Sequence, residues 1–216
     1  MRPFLGVRLL KALQTSQWSF CSFHLRCRGL APQKIFSAFE AMSLGQQEIP
    51  EYFNFAHDVL DVWCQIEKNG KRPPNPAFWW INGQGEEVKW SFEELGTLSR
   101  KAANVLMEAS GLERGDQVLV VLPRIPEWWL VNVACMRTGV VFIPGTTQLT
   151  AGDIAYRLQA SQAKAIVTSD PLAAQVDAVG AECPALKTKL LVSDNCRPGW
   201  LNFRKLFTVA STEPKM

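Results

Sequence analysis

Phosphate-cradling glycine loops are missing from this sequence. Neither G-x-G-x-x-G nor G-x-x-x-x-G-K-[ST] occurs, which argues against a dinucleotide-binding domain or a P-loop nucleotidase. A G-x-S-x-G elbow is absent as well, so a serine hydrolase of that architecture is disfavoured. Histidine is scarce: of the two present, only His57 lies beyond residue 45. Its neighbour Asp58 sits in the same amphipathic stretch, where a capping or surface role outweighs acid–base catalysis. None of the six cysteines forms a C-x-x-C pair, which removes zinc-ribbon and dithiol redox sites. Cys64, Cys135, Cys183 and Cys196 are therefore expected as buried thiols, with Cys21 and Cys27 in the leader. No apolar run reaches the roughly 18 residues a membrane span requires. The best candidate, "LVNVACMRTGVVFI", is interrupted by Arg137 and Gly139.

The longest stretch without an acidic residue is at the N-terminus. Residues 1–39 hold Arg2, Arg8, Lys11, Arg26, Arg28 and Lys34 and no acid, whereas the remainder carries all 20 acids. Beyond the leader the chain is mildly acidic, so a nucleic-acid partner, which needs concentrated positive charge, is not expected. The leader has the composition of a mitochondrial targeting segment. "FLGVRLLKALQ" can form an amphipathic helix, and the Ser- and Arg-containing "TSQWSFCSFHLRCR" follows.

The full sequence is 47% hydrophobic, enough for one sizeable core. "NFAHDVLDVWCQIEKNG" predicts a helix capped by Asn54, with Phe55, Val59, Trp63 and Ile66 on its apolar face and Asn69-Gly70 as its stop. "KRPPNP" predicts a surface turn. "AFWWINGQGEEVKW" predicts a hairpin in which Trp79 and Ile81 face Val88 and Trp90. Trp79, Trp80, Trp128 and Trp129 are expected as packing residues, and Glu86, Glu87, Glu93 and Glu94 as structural acids. Ser91 and Glu94 form a capping-box pattern with Trp90 and Leu95 as the staple, and Gly111 closes that helix. "QVLVVL" reads as a strand covered on both faces. Helices at "EWWLVNVACMR", "AGDIAYRLQAS" and after Asp170-Pro171 then alternate with strands "VVFI", "KAIVT" and "TKLLV". The fold class is α/β: a largely parallel sheet flanked by helices, preceded by a helix and a hairpin.

The stretch from "KWSFEELGTLSRKAANVL" through "GLERGDQVLVVLPRIPEWWLVNVACMRTGVVFIPGTTQLTAGDIAYRLQASQAKAIVTSD" resembles the adenylate-forming superfamily. With "EYFNFAHDVLDVW", "NPAFWWINGQGEEVKWSFEELG" and "AECPALKTKLLVSDNCRPGWLNF" it is similar to the mitochondrial medium-chain acyl-CoA synthetases, from about residue 46 to about 212. The resemblance implies a fatty acid–CoA ligase using ATP, Mg2+ and coenzyme A, and a location in the mitochondrial matrix. It divides the chain into 1–45, transit peptide and lead-in; 46–212, the N-terminal part of the AMP-binding domain; and 213–216, a divergent tail. The family's triphosphate loop, approximately T-S-G-T-[ST]-G-x-P-K-M, has no counterpart here. The expectation is therefore an incomplete domain, inactive alone and without catalytic or metal-ligating residues. Gln148 in "PGTTQL" matches a family glutamine that contacts coenzyme A. Two alternatives stay open: a non-catalytic isoform that associates with full-length synthetase, and an incomplete gene product.

Overall fold

The computed structural model describes residues 51–73 and 75–213. The predicted leader, with Cys21 and Cys27, and the last three residues of the tail lie outside the described residues.

A π-helical segment, Phe55–Asp61, runs into α1, Val62–Lys68. Asn54 starts it as predicted, its side-chain oxygen accepting from the Ala56 and His57 amides. The buried face differs from the expectation: Ala56, Leu60 and Cys64 are buried, while Phe55 is exposed and Val59, Trp63 and Ile66 are only half-buried. The expected Phe55, Val59 and Trp63 and the observed Ala56, Leu60 and Cys64 share a four-residue spacing offset by one position, and the small Ala56 and Cys64 on the observed side permit close helix approach.

The hairpin pairs β1 (Phe78–Ile81) with β2 (Glu87–Trp90). Its register also corrects the expectation. Phe78 opposes Trp90 and Trp80 opposes Val88, which leaves Trp79 and Ile81 exposed over Lys89 and Glu87. Asn82 sets this register: its N–H reaches the Glu86 carbonyl at 3.0 Å, and its Oδ1 accepts from the Gln84 and Glu86 amides. A slip of one residue exchanges the two faces completely.

Helix α2 (Phe92–Asn104) begins with the predicted capping box, Glu94 N–H to Ser91 Oγ at 3.1 Å and Ser91 N–H to Glu94 Oε2 at 2.8 Å. It continues as π turns, Val105–Ala109, and closes at Gly111, where φ is +63°. A five-stranded sheet follows, with order β4-β3-β5-β6-β7 and every neighbouring pair parallel. Its strands are β3 (Gln117–Val121), β4 (Val141–Pro144), β5 (Ala165–Ser169), β6 (Thr188–Val192) and β7 (Leu201–Asn202). The connecting helices are α3 (Pro126–Thr138), α4 (Ala151–Ser161) and α5 (Asp170–Val179), and α6 (Phe203–Val209) follows β7.

Side chains alternate along β3 between two cores. Val118 and Val120 join Leu106, Leu130, Val131 and Phe203 under α2, α3 and α6. Leu119 and Val121 join Ile154, Leu158, Leu172 and Val176 under α4 and α5. Strands buried on both faces need the continuous apolar run that "QVLVVL" supplies. Burying one such Leu or Phe contributes about 1.5–3 kcal/mol. β7 and α6 lie in what reads by sequence as a short apolar cluster; Phe203, fully buried, docks them.

Candidate functional site

Strand order places the site. β3 leads to α3 on one face of the sheet, and β5 leads to α5 on the other. The connections therefore part at the carboxyl ends of these neighbouring central strands, where open α/β sheets form their ligand crevices.

Beside this point, between the carboxyl ends of β3 and β4, a crevice of about 580 Å³ opens, bounded by Leu122–Arg124 after β3, by Trp128 and Trp129 on α3, and by Gly145–Thr147 after β4. Thr168 at the end of β5 donates its hydroxyl to the Val121 carbonyl at 2.9 Å, tying the two strand ends together. Trp128 meets Trp129 edge-on at 4.6 Å and Phe142 edge-on at 5.3 Å, giving the wall a fixed aromatic geometry. The hairpin contributes too: Trp80 Nε1 donates to the Arg124 carbonyl at 2.6 Å. Gly145 is required by space. A Cβ there would fall 2.9 Å from Val121 Cγ2 and 3.0 Å from Leu149 Cδ1, while its N–H continues the sheet ladder to the Val120 carbonyl.

Gln148 occupies this β4–α4 loop, exposed, with its N–H directed to Thr146 Oγ1 at 3.4 Å. Two residues on, Thr150 caps α4 reciprocally with Asp153. Hydrogen bonds from the Thr150 side chain and backbone hold Asp153 below the usual carboxylate range. Thus the loop that presents Gln148 is anchored at both ends, by Gly145 against the sheet and by Thr150 on the helix.

The chemistry of the crevice is one exposed guanidinium, Arg124, with the hydroxyls of Thr146 and Thr147 among indoles. None of its lining residues is His, Asp or Glu. It can seat a flat or partly anionic group, but it carries no acid–base pair. His57 and Asp58 lie elsewhere. Asp58 accepts the Asn54 amide at 2.7 Å and His57 Nδ1 at 2.8 Å, and these bonds hold its carboxyl low. That is the capping role expected of it.

Among the described residues no group of three His, Cys, Asp or Glu could hold a metal ion, and no helix is long and apolar enough to cross a membrane. The expectation of four buried thiols holds for Cys64, Cys135 and Cys183, but Cys196 is exposed in the polar β6–β7 loop. Trp79 and Trp129, expected as packing residues, are also exposed. The missed signal was position: "LPRIPEWW" puts a guanidinium and two indoles directly past the carboxyl end of a central strand.

The family model described as AMP-binding enzyme matches residues 66–214. Acyl-coenzyme A synthetase ACSM5, mitochondrial, of Homo sapiens is 65% identical over 99% of this chain and 37% of that protein. Acyl-coenzyme A synthetase ACSM4, mitochondrial, of Mus musculus is 64% identical over the same shares. The chain thus spans little more than a third of the curated relatives it matches. Among solved structures, an acyl-CoA synthetase of Brucella canis superposes with TM-score 0.63 at 24% identity over 82% of this chain and 31% of that one. The anthranilate CoA ligase AuaEII, solved with anthranoyl-AMP, gives 0.62 at 17% identity over 76% and 30%. At these identities the structures establish the fold, and the model match establishes the rest: the chain belongs to the AMP-binding enzyme family.

Proposed function

We propose that residues 46–212 form the opening part of the AMP-binding domain of a mitochondrial medium-chain fatty acid–CoA ligase, with 1–45 as transit peptide and lead-in, 213–216 as a divergent tail, and the matrix as its compartment. The observation that carries this reading is the 65% identity to a mitochondrial acyl-coenzyme A synthetase over nearly the whole chain. The reaction is conversion of fatty acid, ATP and coenzyme A to acyl-CoA, AMP and diphosphate, with Mg2+.

The residues of this crevice do not by themselves fit a magnesium-bound triphosphate. The crevice offers one guanidinium and two hydroxyls, with no carboxylate for the ion, and the sequence has no P-loop to wrap a polyanion. In this reading the 216 residues alone do not turn over. Their part in the ligase is the sheet edge, the aromatic wall and the anchored loop that offers the Gln148 amide to coenzyme A.

A chimera tests the ligase reading. With residues 46–212 replacing the matching part of human ACSM5, acyl-CoA formation from butyrate to decanoate is expected to persist. A folded but inactive chimera refutes the assignment. The 216-residue chain alone is expected to release no diphosphate from ATP. Its co-elution with full-length synthetase would favour the associating-isoform alternative, and loss of coenzyme A affinity in the chimera on Gln148→Ala is the expected mark of that contact.

A further inference from the structure

Two nucleophiles outside the crevice lie against each other. Lys205 Nζ, on the first turn of α6, stands 3.1 Å from Cys196 Sγ in the β6–β7 loop, and both residues are exposed. One buried side chain sets this geometry. Asn202, 8% exposed, donates through Nδ2 to the carbonyls of Ser193 (2.9 Å) and Asn195 (2.7 Å), fixing the loop immediately before Cys196. Its Oδ1 accepts the Lys205 amide at 2.9 Å, fixing the turn that carries the lysine. A second tie runs alongside, from Arg204 on α6 to Asp194 in the loop at 2.9 Å and to Glu127 on α3 at 2.8 Å. The neighbouring cation is therefore occupied by carboxylates. Lys205 has none within ion-pair distance among the described residues and is directed at sulfur.

We propose that Cys196 and Lys205 form an acyl-transfer pair that takes an acyl group from an acyl-CoA thioester and fixes it on Lys205 as an amide. The thiolate is the competent nucleophile. Cys196 S⁻ attacks the thioester carbonyl; the bond to the coenzyme A sulfur breaks and a new Cys196 thioester forms. The departing thiolate takes a proton from the Lys205 ammonium, leaving free coenzyme A and a neutral amine. That amine, already at contact distance, attacks the Cys196 thioester carbonyl. The C–S bond breaks, the amine proton passes to sulfur, and Cys196 is regenerated as a thiol. The sum is acyl-CoA plus the thiolate–ammonium pair giving acyl-lysine, cysteine thiol and free coenzyme A; no oxidant or reductant is needed. The second step is intramolecular, and a preset approach of this kind greatly raises the effective concentration of the amine. No other described cysteine can do this, because Cys64, Cys135 and Cys183 are buried. The donor is the product class of the ligase proposed above, but it is added from outside, so the pair is tested independently of that reading.

The test incubates the full 216-residue chain with octanoyl-CoA at pH 8 and maps acylation by mass spectrometry, with and without hydroxylamine. Lys71, exposed and without an ion pair among the described residues, is the internal reference. Lys205 is expected to gain octanoyl at least about tenfold faster than Lys71. Cys196→Ser, and Cys196→Ala as an independent variant, should bring it down to the Lys71 rate. Lys205→Arg should instead accumulate a hydroxylamine-labile octanoyl group on Cys196. Lys205 acylation no faster than Lys71, or unchanged in both Cys196 variants, overturns the proposal.

Discussion

Arg137 grips Asp61 with both arms of its guanidinium: Nη1 to Oδ2 at 2.9 Å and Nη2 to Oδ1 at 2.8 Å, between residues 76 positions apart. Its Nε donates to Ser99 Oγ at 2.9 Å, and Ser99 donates on to the Gly96 carbonyl. One side chain on α3 thereby joins the N-terminal π segment to α2. With the Arg137 side chain only 11% exposed, Arg137→Ala takes the donor from Ser99 Oγ and leaves Asp61 with the longer contact to Arg100 Nη1 at 3.4 Å. The expected loss is about 2–3 kcal/mol, below the cost of breaking a fully buried pair because the Asp61 side chain remains 28% exposed. Arg137→Lys should recover less than half, since an ammonium cannot match the fork. Urea unfolding of the three proteins measures both.

Gly96 and Cys64 define how closely α1 and α2 approach. A Cβ at Gly96 would lie 2.7 Å from Cys64 Sγ. Alanine is the better helix former by about 1 kcal/mol, yet Gly96→Ala is expected to destabilise by about 1–3 kcal/mol, because overpacking exceeds that gain. In a Cys64→Ala background the clash disappears and the same substitution should become neutral or stabilising. A double-mutant cycle that shows no such reversal would rule out the contact as the cause.

The alternation of "QVLVVL", "VVFI", "KAIVT" and "TKLLV" with helical stretches carried the parallel sheet: the central strands, buried on both faces, leave an unbroken apolar signature, and the edge strand β4, exposed at Val141, follows the same rhythm. Caps at Asn54 and Ser91 were equally legible, since each rests on residues within three positions of one another. Three features were not. The face of the first helix shifted by one position because close packing favours the small Ala56 and Cys64 over Phe55 and Trp63, and the contact at Gly96 that rewards this lies on another helix. The hairpin slipped by one because the Asn82 side chain, holding the Gln84 and Glu86 amides, organises the turn. The crevice wall at Trp128 and Trp129 was invisible for a different reason: whether an indole fills a core or lines a cleft depends on which strand ends beside it.

Asp177 should impose a pH dependence on the β6–β7 region. Burial raises its carboxyl, but hydrogen bonds from Lys189, Arg197 and Trp200 outweigh this and leave it lowered. The contacts are 2.8 Å to Arg197 Nε and 2.9 Å to Trp200 Nε1. A folded-state value below the unfolded one means that the unfolded chain binds more protons. This stabilisation is therefore complete above the unfolded value of about 3.9 and fades as pH falls through the lower folded value. Asp177→Asn should be less stable than the parent at pH 7, and the gap should narrow below about pH 4. A gap independent of pH would mean that charge on Asp177 contributes nothing.

Thiol reactivity reports whether α3 is seated. Cys135 is 2% exposed beside Val131 and Ala134 in the core under α3, and burial pushes its thiol up to about 12. Native alkylation at pH 8 should label Cys196 within minutes and leave Cys135 untouched, because a neutral, enclosed thiol is not a nucleophile. Labelling of Cys135 then requires opening, so its rate follows the population of the open state. Arg137 lies two residues beyond Cys135 on the same helix. Removing the Asp61 bridge by about 2–3 kcal/mol should therefore raise Cys135 labelling by about 30- to 150-fold, at roughly tenfold per 1.4 kcal/mol, while Cys196 labelling stays constant. Equal acceleration at both thiols would indicate a change in reagent chemistry. Acceleration at neither would show that α3 stays docked without its ion pair, leaving its seat to the apolar contacts of Leu130, Val131 and Ala134.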